Sequence, residues 1–114
     1  MKKLGFIIIM LLFATTVSLA EKAYTGEIMD SYCGKVGNHE KGYKLTGTST
    51  PKDCTLACVK SGATLVLYDS AAKTAYGLDD QSRAKELAGQ KVKIEGTLNH
   101  STKMIHVDKI EIAP

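Results

Sequence analysis

From Gln90 to Leu98 the chain alternates with a period of two: Val92, Ile94 and Leu98 fall on one parity, and Lys91, Lys93, Glu95 and Thr97 on the other. Such a pattern puts one face of a strand in a core and the other in water, and a helix would scatter the same residues around its circumference. Asn99 to Lys103 reads as a turn, and Met104 to Ile112 returns as a second strand. Here Ile105 and Val107 share one parity while Ile110 and Ile112 share the other. One extra residue in a bulge near Asp108 and Lys109 would bring all four to the core, so this last strand is expected to bend there.

Upstream, Ala23 to Met29 carries Tyr24 and Ile28 on one parity against Thr25 and Glu27, the pattern of a half-buried strand. Asp30 to Ser49 has no period and few apolar residues, and reads as a long loop, a length that in compact domains accompanies function or disorder. Thr50-Pro51-Lys52-Asp53 then opens a helix, with a capping hydroxyl, proline at the first helical position and a carboxylate at the third. That helix should stop near Ser61, because Gly62 can take the left-handed closing conformation. Leu65 to Tyr68 and Lys73 to Leu78 form a predicted hairpin around Asp69-Ser70-Ala71-Ala72, and Asp79 to Ala88 a second short helix ending before Gly89.

Five strands with a helix between the third and fourth is the chain order of the OB-fold, a small, partly open Greek-key barrel. The expected fold is therefore mainly β, an OB-fold-like barrel with two short helices and a cysteine-containing loop-helix insertion at about residues 30–62. Gly26, Gly77 and Gly96, inside strands, fit tight barrel bends. The same segments also allow an α+β arrangement, an antiparallel sheet with helices on one face.

Met1-Lys2-Lys3, the apolar stretch Leu4 to Val17 and the small residues Ser18 and Ala20 compose a signal peptide covering residues 1–20, with cleavage after Ala20. The apolar run is too short for a spanning helix, so no stable membrane anchor is expected after cleavage. Residues 21–114 then form a single domain in an exported, periplasmic or secreted, protein. Without Lys2 and Lys3 the balance is 13 basic against 12 acidic residues, close to neutral. With no aromatic-basic stripe, the chain offers nucleic acid no electrostatic footprint.

Export makes the three cysteines, Cys33, Cys54 and Cys58, an informative set. An odd count leaves at least one sulfur outside any internal disulfide: a free thiol, an intermolecular bridge or a metal ligand. Cys54 and Cys58 share a helical face, yet Cβ atoms about 5–6 Å apart at that spacing exceed the roughly 3.5–4.5 Å a disulfide wants. Cys33 bridging to Cys54 or Cys58 would instead staple the long loop of a small secreted domain. The competing arrangement is a metal site of Cys33, His39, Cys54 and Cys58, whose three sulfurs and one imidazole suit tetrahedral zinc. With Met29 nearby, a thiolate-rich site would suit cuprous copper. A thiol-redox protein is a third reading, since a cysteine near a helix N-terminus can be activated, but there is no Cys-x-x-Cys.

The run Gly89-Gln90-Lys91-Val92-Lys93-Ile94-Glu95-Gly96-Thr97-Leu98 with Ile105-His106-Val107 resembles the closing strands of small exported bacterial OB-like domains. Met29-Asp30-Ser31-Tyr32-Cys33-Gly34, with Asp53-Cys54 and Cys58, is similar to a family of small exported bacterial proteins of uncharacterised function. The resemblance spans most of the mature chain and implies export and a barrel-like fold, with no activity attached.

The remaining polar residues read as structural. His100 falls in a turn and His106 on the wet parity of the last strand, so both are expected in solvent, and Asp79 and Asp80 are expected to cap a helix. Tyr24, Tyr68 and Tyr76 belong to the core or a barrel face. There is no serine elbow, paired-histidine metal motif or phosphate loop. The sequence thus points to a non-enzymatic exported binding domain whose ligand is a metal ion or a protein partner, with a disulfide-stapled structural domain as the alternative.

Overall fold

The computed structural model describes residues 22–114, so the expected signal peptide lies outside the described residues. The elements run β1 (Lys22–Asp30), α1 (Ser31–Val36), α2 (Glu40–Thr46), α3 (Pro51–Lys60), β2 (Leu65–Asp69), β3 (Thr74–Leu78), α4 (Gln81–Glu86), β4 (Lys91–Asn99) and β5 (Met104–Ile112). The protein is mainly β, and its five strands close into a ring in the order β1-β2-β3-β5-β4, with β4 pairing back to β1. Every pairing is antiparallel except β3 with β5, which is parallel. This closure replaces the open antiparallel sheet that the same segments allowed.

The expected bend in β5 is present. Glu95 faces Lys109 and Gly96 faces Val107, so Asp108 is the extra residue of a bulge. The bulge returns Ile110 to the core beside Ile105 and Val107, but Ile112 stays 59% exposed at the strand's end. A Cβ on Gly96 would collide with the His106 carbonyl, and one on Gly26 with the Tyr68 carbonyl, so both glycines are required by close strand approach. Gly77 is not, because a Cβ there would make only ordinary contact, 3.5 Å from Met104.

Among the described residues four helices form, not two. The segment Asp30 to Ser49, expected as a loop, folds into α1 and α2, each ended by a glycine in the left-handed conformation, Gly37 (φ 91°) and Gly47 (φ 71°). Neither helix exceeds two turns, too short for an apolar period to emerge, so the capping residues carry the signal that periodicity lacks.

These added helices give the molecule two cores. Ile28, Leu65, Leu67, Leu78, Val92, Ile94, Ile105 and Val107 fill the ring, with Ala84 of α4 closing one end. Tyr24 and Tyr76 pack at 5.5 Å between ring centroids against the same core. Met29 and Val66, on the opposite parity, leave the outside of the ring wall and are buried with Cys33 and Cys54 in a second cluster. The run Leu65-Val66-Leu67 is buried on both faces for this reason. Burying each of these larger side chains contributes about 1.5–3 kcal/mol, and the second core places the cysteines between the ring wall and α1 to α3.

Candidate metal centre

The site begins where β1 ends. Asp30 is wholly buried, and its Oδ2 accepts the Cys33 backbone N–H at 2.9 Å, capping α1. The cap fixes Cys33 on the first turn with its side chain directed into the second core. Beyond Gly37 the chain doubles back, so His39 enters the same space with 7% exposure. Its Nε2 lies 2.7 Å from Oε2 of Glu27 on β1, and its ring stacks on Tyr43 of α2 at 5.6 Å and 23°. On α3 the Thr50 hydroxyl accepts the Asp53 N–H at 3.2 Å, and the helix it opens delivers Cys54, also wholly buried.

These elements converge on one point. A ligand atom from each of Asp30, Cys33, His39 and Cys54 lies within 4.8 Å of every other, and the two sulfurs are 4.0 Å apart. Two thiolates at 2.3 Å from a shared tetrahedral zinc would be about 3.8 Å apart, whereas a disulfide requires about 2.05 Å. The observed spacing is too long for a disulfide and compatible with two sulfurs around a shared ion, as it is with a thiol–thiol hydrogen bond. Gly42 of α2 lets the helix approach both sulfurs closely, because a Cβ there would lie 2.6 Å from Cys54 Sγ and 2.7 Å from Cys33 Sγ.

The hydrogen bonding separates this cluster from an ordinary apolar core that happens to contain cysteines. Three buried side-chain polar atoms among the described residues lack a hydrogen-bond partner, and two belong to the cluster: Asp30 Oδ1 and His39 Nδ1. Leaving such atoms unsatisfied costs about 1–3 kcal/mol each. The Glu27 carboxylate is an acceptor, so Nε2 of His39 is the donor in that contact and Nδ1 is the ring nitrogen left without a partner. A carboxylate behind the far nitrogen is the usual way a metal-binding histidine is oriented.

Burial, reinforced by Asp30, pushes the Cys33 thiol far above its ordinary value. Burial, with Asp30 and Cys54 adding to it, pushes Cys58 up to about 11. Tyr43 is likewise raised, by burial and then by Cys54. Without an ion these thiols are protonated at neutral pH, the opposite of the lowered thiol that redox catalysis uses. A cation would reverse the balance by stabilising the thiolates.

The sequence-derived set was Cys33, His39, Cys54 and Cys58, and the structure brings the first three together. Cys58 falls outside the four-atom group and Asp30 stands within it. Cys58 remains beside the cluster, half-buried. Asp30 and Glu27 went unnoticed in the sequence: Asp30 carried a signal, a capping aspartate three residues before Cys33, while Glu27 looked like any polar residue on the wet parity of a strand. The three cysteines are unbridged in this structure, and of the expected disulfide pairs Cys33 and Cys54 stand with their sulfurs 4.0 Å apart.

Away from the cluster, His100 is exposed in its turn. His106 is held by acidic groups, its Nδ1 2.5 Å from Asp79 Oδ2 and its Nε2 3.3 Å from Asp108 Oδ1. Asp79 also accepts the Val107 N–H at 2.9 Å. Only Asp80 of the expected capping pair caps α4, through the Arg83 N–H, and Asp79 instead ties the start of α4 to β5. Burial would raise Asp79, but the Val107 N–H and His106 outweigh it and hold the carboxyl below its ordinary value. Comparison with protein-family models, curated proteins and solved structures returned no match.

Proposed function

We propose that this protein is a small exported, non-enzymatic domain on an OB-fold-like barrel that binds one thiophilic metal ion through Asp30, Cys33, His39 and Cys54. The strand order β1-β2-β3-β5-β4 with a parallel β3–β5 pairing supports the OB-fold reading. The observation that carries the metal reading is the pair of buried, unpartnered atoms, Asp30 Oδ1 and His39 Nδ1, beside two sulfurs 4.0 Å apart. Zinc is the ion of choice. Two thiolates, an imidazole and a carboxylate are its usual donors at four-coordinate sites, whereas cuprous copper favours sulfur and gains little from a carboxylate.

The Cys33–Cys54 juxtaposition also favours a second reading, a disulfide-stapled structural or interaction domain with Cys58 left over. In that reading Asp30 Oδ1 and His39 Nδ1 stay unsatisfied, which is why metal binding is preferred. The thiol-redox reading draws no support from thiols raised by their surroundings.

Elemental analysis, intact mass and thiol titration of protein isolated from its native compartment without chelators decide between the readings. One equivalent of zinc, with three thiols titrating after chelation and unfolding, is the expected result. One free thiol, a mass two protons lower and no metal would overturn it in favour of the staple. Replacement by cobalt(II) should give thiolate charge-transfer absorption and the d–d bands of a tetrahedral ion.

A further inference from the structure

Burial poses a kinetic problem for an ion held by Asp30, Cys33, His39 and Cys54. Asp30 and Cys54 are fully buried, Cys33 is 1% exposed and His39 7%. An ion so enclosed exchanges by ligand substitution, in which an incoming donor takes a coordination position as another leaves. Such a donor must reach both the cluster and water.

Cys58 occupies that place. It follows Cys54 by one turn on the same face of α3. It packs against the cluster of Met29, Cys33, Cys54 and Val66. It therefore borders the ligand set on the α3 side, next to Cys54. Unlike the two cysteines within the set, it is partly open to solvent.

We propose that Cys58 is the exchange ligand of the site, the thiol through which a metal ion is loaded and released, so that the protein hands zinc to and from external donors. The proposal rests on the zinc reading given above. In the release step the Cys58 sulfur would bond the ion as its proton passes to solvent and the Asp30 oxygen, the hardest of the four donors, leaves. The ion stays Zn²⁺ and no electrons are transferred. The donor atoms of external thiolates or of an aminocarboxylate would then replace, one for one, the sulfurs of Cys58, Cys54 and Cys33 and the His39 nitrogen, each freed cysteine regaining a proton from water, and loading would follow the same steps in reverse. The competing route is a cleft of about 400 Å³ whose walls include Glu27, Met29, Gly37, Tyr68 and Lys91, on the β1 side of the cluster. It offers no thiol, so exchange through it would be indifferent to Cys58.

The test follows zinc release from the loaded full-length mature protein into excess of a chromogenic chelator by stopped flow. Cys58→Ser and Cys58→Ala should keep one equivalent of zinc at nearly unchanged affinity and release it about tenfold more slowly. Alkylating the loaded wild-type protein with N-ethylmaleimide should modify Cys58 alone and slow release in the same way, which needs no refolded variant. Release at the wild-type rate from the variants and the alkylated protein would overturn the proposal. Loss of the zinc equivalent in the variants would also overturn it, by making Cys58 a ligand of the resting set. A wild-type protein that binds no zinc at all would instead refute the underlying metal reading, an outcome read from stoichiometry and not from rate.

Discussion

Glu27 and His39 meet across the boundary between the strand ring and the helical layer, Oε2 to Nε2 at 2.7 Å. The contact engages Nε2 and leaves Nδ1 as the buried ring nitrogen without a partner. Glu27→Gln keeps an acceptor for the Nε2 proton but removes the charge that raises the basicity of Nδ1. Zinc affinity should fall about tenfold with little change in the urea midpoint of the metal-free protein. Competition titration against a chelator of known affinity checks the first effect, and denaturation the second.

Asp30 has two tasks that substitution can separate. Its Oδ2 caps α1 while its Oδ1 faces the ligand cluster without a partner. Asn is as good a cap as Asp, so Asp30→Asn should retain the helix but lose a charged ligand and weaken zinc binding by at least about tenfold. Asp30→Ala loses the cap as well, and should cost about a further 1 kcal/mol of metal-free stability. Unchanged zinc affinity in Asp30→Asn would show that the carboxylate has only a capping role.

Gly42 lies over both sulfurs, and an added methyl would stand 2.6 Å from one and 2.7 Å from the other. Gly42→Ala should therefore displace Cys33 and Cys54, costing about 1–3 kcal/mol of stability by overpacking and abolishing tetrahedral cobalt(II) absorption. Lys41→Ala, one residue earlier and exposed, should change neither. The comparison separates steric exclusion from a general loss of α2.

The raised thiols make two pH dependences of opposite sign. In the metal-free protein Cys58 is raised from 9.0 to about 11, and Cys33 is raised further. The unfolded chain loses these protons first, so stability is full below pH 9 and is lost progressively as pH rises through the folded values. With zinc, binding displaces the proton that burial holds on Cys33, so affinity rises with pH by about tenfold per unit across the neutral range. Urea denaturation from pH 7 to 10.5 with chelator, and zinc competition from pH 6 to 8, measure the two slopes. A zinc affinity independent of pH would exclude thiolate ligation.

The ring was more legible in the sequence than the site was. The alternation in β4, the split parity of β5 and the capping run before α3 all depend on neighbours within a few residues, and each is found where expected, the bulge at Asp108 included. The segment from Asp30 to Ser49 was not legible, because α1 and α2 are held by caps and by contacts with β1, β2 and α3 and have no period of their own. His39 was identifiable by residue type, yet nothing local distinguishes it from a solvated loop histidine. Its burial comes from a fold that places it against Glu27 and Tyr43.

What the sequence by itself determined was the set of strands, the cysteine-bearing helix and the shared face of Cys54 and Cys58, since periodicity and capping are properties of short stretches of chain. The tertiary structure decided that β1 pairs with β4 and β3 with β5, and that the outer wall of the ring carries a second core. It also decided that Asp30, rather than Cys58, completes the group with Cys33, His39 and Cys54. The physical reason is range: a donor set spread over 25 residues is assembled by the packing of three helices on a closed wall, and which atoms then lose their access to water is a property of that packing alone.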